Sequence, residues 1–138
     1  MTGGLHHLEL WIPDLAGALR PWGWLLGELG WQPFQDWPGG RSWKHGDVYL
    51  VLEQSPALSG TVHDRLAPGL NHLAFTVDTA AEVDRLWADA PGHGWSRLFA
   101  DRYPHAGGPA SYAAYLADDW AYEVELVADR FEPADEGT

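Results

Sequence analysis

Two histidines occupy equivalent positions in a segment that occurs twice in the 138-residue chain. Residues 4–10 read GLHHLEL and residues 69–75 read GLNHLAF, so His7 corresponds to His72. The chain has no cysteine, so any metal ion would have to be held by imidazole nitrogens and carboxylate oxygens. Equivalent strands of two related halves would bring the two histidines together across a pseudo-twofold cleft.

Length and charge narrow the classes of function. A chain of 138 residues and 15.3 kDa is within the usual size of one domain. Eight Lys and Arg stand against 20 Asp and Glu, for a net charge of -12, which argues against binding to nucleic acid and to anionic membranes. The N-terminal residues lack a signal-peptide pattern, and no apolar run is long enough to span a membrane. We therefore expect a cytoplasmic protein.

Each copy of the repeat predicts a short strand followed by a helix. Asp14 and Asp78 each come directly before a run of apolar residues at helical spacing. Thr79 is a candidate N-cap because Glu82 follows three residues later. Pro21 lies inside the first helical pattern, which predicts either a kink there or a helix that begins close to it.

Three strand-like runs bounded by Gly, Pro and Asp follow each predicted helix. They cover residues 30–34, 41–45 and 47–53 in the first half and 95–99, 111–117 and 122–127 in the second. We therefore predict a single α+β domain over residues 1–138, built from two tandem βαβββ modules at 5–53 and 69–127. A connector at 54–68 joins the modules, and a polar, acidic tail occupies 128–138.

This arrangement resembles the vicinal oxygen chelate superfamily, which includes glyoxalase I, fosfomycin-resistance thiol transferases, extradiol dioxygenases and bleomycin-resistance proteins. Residues 7–15 (HLELWIPDL), 69–78 (GLNHLAFTVD) and 115–127 (YLADDWAYEVELV) carry the resemblance. Members commonly have an Asp-Pro-Asp-Gly turn before a strand with a liganding Glu, whereas residues 118–121 here read DDWA. The resemblance implies a curved mixed sheet around a cleft, with the helices outside.

The resemblance also implies a divalent ion, Fe, Mn, Ni, Co or Zn, held by His7, His72 and Glu125. Such a ligand set leaves positions open for two neighbouring oxygens of a substrate. Glu123 shares a strand face with Glu125, but the following Leu-Val matches the family ending and favours Glu125. Family members with a fourth ligand place a carboxylate late in the first half.

The matching position in the first half is apolar Val51, so the three-ligand members are the closer match. Glu53 lies two residues later on the same strand face and is a candidate fourth ligand or base. The loop at 101–109 adds Tyr103 and His105 as candidates for proton transfer. His6 is adjacent to His7 and should point to the opposite strand face.

Four aromatic residues at loop or strand positions are candidates to line a substrate cleft. They are Trp43, Trp95, Tyr115 and Trp120.

Two functions from different classes follow. The first is a small metal-dependent enzyme of the glyoxalase or dioxygenase type, in which the ion polarises a substrate with vicinal oxygens. Lyase or isomerase chemistry is favoured over oxygenase chemistry, because the extradiol pattern is incomplete. The second is a metal-free resistance protein of the bleomycin type that binds a drug or metabolite. The resemblance implies a homodimer in both cases.

Overall fold

The computed structural model describes residues 2–133. Contacts between Cα atoms divide the chain into two compact units, Met1–Val62 and His63–Thr138. The residues of the predicted tail at 134–138 lie outside the described part of the chain. Within the described part, no helix has the length and apolar character needed to cross a membrane.

The first unit is a four-stranded mixed sheet with one helix. Its elements are β1 (His7–Trp11), α1 (Leu15–Glu28), β2 (Gln32–Trp37), β3 (Gly40–His45) and β4 (Val48–Glu53). The strand order is β1-β4-β3-β2. The β1 and β4 strands are parallel, and the other neighbouring pairs are antiparallel.

The second unit repeats this plan. Its main elements are β5 (Leu73–Thr79), α2 (Ala80–Asp89), β6 (Ser96–Leu98), β7 (Ala113–Ala117) and β8 (Glu123–Arg130), with short 3-10 helices at Ala90–His93 and Ala100–Arg102. The order is β5-β8-β7-β6, again with a parallel first and last strand. The predicted α+β class and the duplicated βαβββ plan are confirmed.

Both helices begin at the acidic or hydroxyl caps that the sequence indicates. The Asp14 side chain accepts a hydrogen bond from the Gly17 amide, and Thr79 Oγ1 accepts one from the Glu82 amide at 3.2 Å. These bonds satisfy amides that have no partner inside the helix. Pro21 lies within α1, so the helix begins well before it and continues through it.

Strand alternation gives each sheet one face packed on its helix and one more open face. In the first unit Leu10, Leu50 and Leu52 are buried on one face of the sheet, and Trp22 and Leu25 of α1 are fully buried. The second unit buries its alternate strand residues in the same way against a shorter helix. The strand residues are Val77, Ala114, Leu116, Val124 and Leu126, and Val83 and Leu86 are the buried residues of α2. The candidate histidines and carboxylates therefore belong to the opposite, open faces.

The turns before the last strand of each unit differ in the type of residue that adopts a left-handed backbone conformation. The β3–β4 turn uses Gly46, at φ +59°. The β7–β8 turn places Ala121 at φ 68°, where family members have glycine. Asp118 stabilises this second turn, because its Oδ1 accepts hydrogen bonds from the amides of Trp120 and Tyr122 at 3.0 and 2.9 Å.

Candidate functional site

The second sheet gathers a histidine, two carboxylates and a tyrosine on its open face. Tyr115 pairs with Glu125 across β7 and β8, and Ala74 of β5 pairs with Glu125 on its other side. His72 directly precedes β5. Leu73, the first residue of β5, pairs with Val124 of β8, so His72 lies next to Glu123, which directly precedes Val124. We call His72, Glu123, Glu125 and Tyr115 the open-face cluster.

His72 contacts a different acceptor with each ring nitrogen. Its Nε2 lies 3.2 Å from Glu125 Oε1, and its Nδ1 lies 2.7 Å from Asn71 Oδ1. Asn71 Nδ2 donates to the Arg65 carbonyl at 3.0 Å, which fixes the orientation of the Asn71 amide. His72 Nδ1 must therefore carry the hydrogen and donate it to Asn71.

That tautomer leaves Nε2 of a neutral His72 as an acceptor facing a carboxylate oxygen, which is also an acceptor. Two acceptors at 3.2 Å repel each other unless a positive charge lies between them, as a proton or as a metal ion. A proton on Nε2 would make this contact a salt bridge, and a metal ion between the two atoms would make both of them ligands.

Glu123 is the most enclosed member of the cluster, with a side chain only 3% exposed. Its Oε2 lies 3.5 Å from His72 Nδ1, and its Oε1 lies 3.7 Å from Arg65 Nε. Within residues 2–133, Glu123 Oε1 has no hydrogen-bond partner. The cluster thus holds two carboxylates beside one imidazole, with a single guanidinium close to one of them.

Tyr115 closes one side of the cluster and bonds to Glu125. Burial raises its pKa to about 12, and the hydrogen bond to the Glu125 carboxylate and the nearby negative charges act in the same direction. The Tyr115 hydroxyl is consequently a donor at neutral pH and not a base. Its oxygen would lie 2.8 Å from a Cβ on Gly107, so the loop at 99–112 passes close to it only because residue 107 lacks a side chain.

A cation also lies near this side of the cluster. The Arg102 guanidinium carbon is 4.9 Å from the centre of the Phe99 ring, and Phe99 lies edge-on to Tyr115 at 5.4 Å. The positive charge of Arg102 opposes the rise in the pKa of Tyr115.

His7 lies on the open face of the first sheet, in a different environment. Its ring stacks on Tyr49 with centroids 4.8 Å apart and an interplanar angle of 8°. Its Nδ1 is 2.8 Å from the Nδ1 of His6, and His6 also contacts Tyr49 edge-on. The expectation that His6 points away from His7 is wrong, because β1 begins at His7 and strand alternation does not extend to His6.

Glu53 shares a strand face with His7 but not a position along the strand. His7 pairs with Tyr49, whereas Glu53 pairs with Trp11 at the far end of β1 and β4. At about 3.3 Å per residue, four residues separate these positions by about 13 Å. Val51, the apolar residue at the position where some family members have a carboxylate ligand, pairs with Glu9 and is buried.

Tyr103 and His105 are engaged away from the open-face cluster. Tyr103 donates to Asp84 Oδ1 of α2 at 2.5 Å and stacks on Trp87 of the same helix at 4.1 Å. Tyr112 donates to the same Asp84 oxygen at 2.6 Å. His105 Nδ1 pairs with the Ser111 carbonyl at 2.8 Å. The structure therefore places Tyr103 with α2, on the helix side of the sheet, and His105 beside Tyr112, which bonds to the same helix.

The aromatic candidates divide in the same way. Tyr115 belongs to the open-face cluster, whereas Trp95 is only 2% exposed and packs in the core. Trp43 is buried but borders a cavity of about 290 Å³ in the first unit. Trp120 lies in the β7–β8 turn, where its amide bonds to Asp118.

Sequence reasoning missed Asn71 and Arg65, which support His72 and Glu123. Asn71 was visible only as a neighbour of a repeated histidine, and Arg65 lies in a connector without a periodic pattern. The Glu-x-Glu spacing of residues 123 and 125 was the available signal for a second carboxylate, because alternation places both on one face.

Comparisons with known proteins agree with this fold. Two tandem βαβββ modules define the class of fold. Residues 6–115 match the family model of the Glyoxalase/Bleomycin resistance protein/Dioxygenase superfamily, and the chain belongs to that superfamily.

Individual relatives share most of their length with this chain. The uncharacterized protein YqjT of Bacillus subtilis (strain 168) is 42% identical over 126 residues, which is 90% of this chain and 98% of the relative. A crystal structure from Bacillus halodurans, described as a “putative glyoxalase”, is 41% identical with a TM-score of 0.87, covering 91% and 96% of the two chains.

A more distant structural neighbour carries a resistance function. The fosfomycin resistance protein FosX from Mesorhizobium loti is 21% identical with a TM-score of 0.65, covering 95% of this chain and 96% of its own. This likeness shows a shared fold.

Proposed function

We propose that this protein is a small metal-dependent enzyme that polarises a substrate with two neighbouring oxygens. The observation that carries the proposal is the pair of acceptors, His72 Nε2 and Glu125 Oε1, at 3.2 Å with the His72 proton committed to Nδ1. A shared divalent cation removes the repulsion between these atoms, and the second carboxylate, Glu123, adds to the attraction.

The separation of the two atoms fits metal ligation. Two ligand atoms at about 2.1 Å from one ion lie about 3.0 Å apart at a right angle and about 3.4 Å apart at the tetrahedral angle. The observed 3.2 Å lies between these values. Imidazole and carboxylate ligands suit Fe, Mn, Ni, Co and Zn, and the family commonly uses divalent metals.

We propose His7 as the third ligand, on the basis of its equivalence to His72 in the repeat. Within residues 2–133, no group of three or more His, Asp or Glu side chains is arranged to hold a metal ion. The His7 ring is oriented by Tyr49, and its Nδ1 interacts with His6. Its Nε2 is the coordinating atom in this proposal.

The bound ion would supply Lewis-acid polarisation of the two substrate oxygens. The protein's own groups position that chemistry. The Tyr115 hydroxyl donates to Glu125 and holds that carboxylate beside His72. Asn71 fixes the His72 tautomer. Glu53 stays a candidate for proton transfer, at the other end of the first sheet from His7.

Lyase or isomerase chemistry is favoured over oxygenase chemistry by the position of the loop. An oxygenase of the extradiol type would need the histidine of this loop beside the substrate. Here His105 Nδ1 bonds to the Ser111 carbonyl, and its ring packs against Tyr112 and Phe131.

A metal-free protein that binds a drug or metabolite is the second candidate. A cavity of about 530 Å³ in the first unit favours it, since this is the volume of an ordinary small-molecule site. Leu19, Trp37 and Arg41 line the cavity, together with Asp36, which pairs with Arg41 at 2.8 Å.

Metal titration of protein stripped with chelator distinguishes the two candidates. We expect the wild type to bind one divalent ion per chain by calorimetry, and His72→Ala and Glu125→Ala each to weaken binding at least 100-fold. His7→Ala should weaken it at least 10-fold. The matched control is His45→Ala, at the β3–β4 turn, which should bind like the wild type.

The metal-dependent proposal is wrong if the stripped wild type binds none of the five metals, or if the His72 and Glu125 variants bind as tightly as the control.

We further propose that the protein is a cytoplasmic homodimer that acts on a small-molecule substrate. Light scattering at micromolar concentration tests the assembly, and a monomer would contradict it.

A further inference from the structure

Glu123 is buried without the compensation that the other buried polar residues receive. Among residues 2–133, the buried polar side chains are Ser42, Asp118 and Glu123. Ser42 both donates to Gln35 and accepts from its amide, and Asp118 accepts from two amides of its turn. Glu123 has an oxygen with no hydrogen-bond partner.

The neighbours of Glu123 are too distant for strong pairing. Arg65 Nε at 3.7 Å and His72 Nδ1 at 3.5 Å both exceed ordinary hydrogen-bond lengths. A carboxylate removed from water at these distances is unfavourable for the folded state, because its attraction to partners does not replace its hydration. A residue that makes the fold less stable needs a reason other than folding.

Its position supplies that reason. Glu123 Oε2 faces the protonated Nδ1 of His72, on the side of the ring opposite to the nitrogen that faces Glu125. The hydrogen bond to Asn71 orients the ring, and the negative charge of Glu123 on the same side makes the coordinating nitrogen more basic. Glu123 also adds a second negative charge close to the cation.

We infer that Glu123 is a positioning residue of the metal centre, which strengthens metal binding through His72 at the expense of the stability of the metal-free fold. This inference rests on the proposed function. Its consequence is that removal of the charge changes metal affinity and metal-free stability in opposite directions.

Glu123→Gln tests this prediction with two measurements. Calorimetric titration with Zn²⁺ should give an affinity 10- to 100-fold below that of the wild type. Urea unfolding in EDTA should show a higher midpoint than the wild type, because the uncompensated charge is gone. Glu123→Asp keeps the charge but withdraws it from Nδ1, so it should bind Zn²⁺ with intermediate affinity and keep the wild-type midpoint or a lower one.

Asp118→Asn is the matched control, since Asp118 is a buried carboxylate with satisfied hydrogen bonds. Its urea midpoint in EDTA should fall. The inference is overturned if Glu123→Gln binds Zn²⁺ as the wild type does, or if its midpoint falls as in Asp118→Asn. A wild type that binds no Zn²⁺ or other divalent ion overturns the proposed function as well, so the two failures can be told apart.

Discussion

The two units share a strand order but treat their equivalent histidines differently. In the first unit His7 stacks on Tyr49, a neutral ring that occupies the adjacent position of β4. In the second unit the adjacent position of β8 is Glu123, a buried carboxylate behind His72. The same backbone thus places one histidine against an aromatic ring and the other against a negative charge.

The next position along the strands shows a second contrast. Val51 pairs with Glu9 in the first sheet, whereas Glu125 pairs with Ala74 in the second. Each sheet carries one carboxylate at this level, but only in the second does it reach the histidine. The Glu9 carboxylate accepts a hydrogen bond from the Trp11 indole at 2.7 Å. The fold therefore does not require the carboxylate pair, which supports a chemical role for it.

The connections between the middle strands also differ. Residues 38 and 39 alone join β2 to β3, whereas residues 99–112 join β6 to β7. The longer loop is attached to α2 through Asp84 and passes close to Tyr115 at Gly107. The second unit thus has a longer connection, of which Gly107 lies close to Tyr115, and the first unit has only two residues at this place.

Placing the second unit's carboxylate into the first unit should have the largest effect. Val51→Glu would bury a charge directly opposite Glu9, so we expect a loss of about 3 kcal/mol in unfolding free energy. Urea denaturation measures it. Val51→Gln has a similar volume without the charge and should lose less. Equal losses of unfolding free energy in both variants would mean that the larger side-chain volume, and not the charge, causes the destabilisation.

Removing the loop attachment should have an intermediate effect. Asp84→Ala deprives two tyrosine hydroxyls of a charged acceptor, so we expect a loss of about 2 kcal/mol in unfolding free energy. Asp84→Asn keeps an acceptor without the charge and should lose less. An unchanged unfolding free energy in Asp84→Ala would show that the loop is held by other contacts.

The same attachment predicts a pH dependence with a defined sign. Burial and the bond to Asp84 raise the pKa of both Tyr103 and Tyr112 above their value of about 10 in the unfolded chain. The stabilisation of the folded state by these two tyrosine hydroxyls is therefore complete below pH 10, and it is lost as the pH rises through their folded-state pKa values. The difference in stability between wild type and Asp84→Ala should be constant from pH 7 to about pH 9 and shrink above pH 10.

The turns before the last strands should give the smallest effects. Ala121→Gly removes the strain of an alanine with a left-handed backbone conformation. It should stabilise the protein by about 0.5 kcal/mol, because the greater conformational freedom of glycine in the unfolded chain offsets part of the gain. Gly46→Ala, at the equivalent turn, should cost about 1 kcal/mol. Thermal unfolding of both variants checks these two predictions. Shifts of the unfolding temperature in the same direction would contradict them.

The features that the sequence predicts well are those coded by short-range patterns. The caps at Asp14 and Thr79 and the repeated strands follow from local spacing, and all are confirmed. Pro21 was ambiguous, because tertiary packing of α1 decides whether a proline is tolerated inside a helix.

The features that it does not predict depend on long-range contacts. Alternation places Glu123 and Glu125 on one face but does not show that one is enclosed and the other reaches His72. The attachment of Tyr103 to α2 links residues far apart in the chain, and no periodic pattern encodes it. Burial of Trp95 likewise depends on how β6 and the preceding 3-10 helix pack.

The parallel pairing of the first and last strands has a consequence for synthesis on the ribosome. In each unit the strand made first, β1 or β5, gains its parallel neighbour only when β4 or β8 has emerged. Units of this kind form as wholes, beginning with the N-terminal one. His72 therefore meets Glu123 and Glu125 only at the end of translation of the second unit. A truncated chain would contain the histidines without the carboxylates.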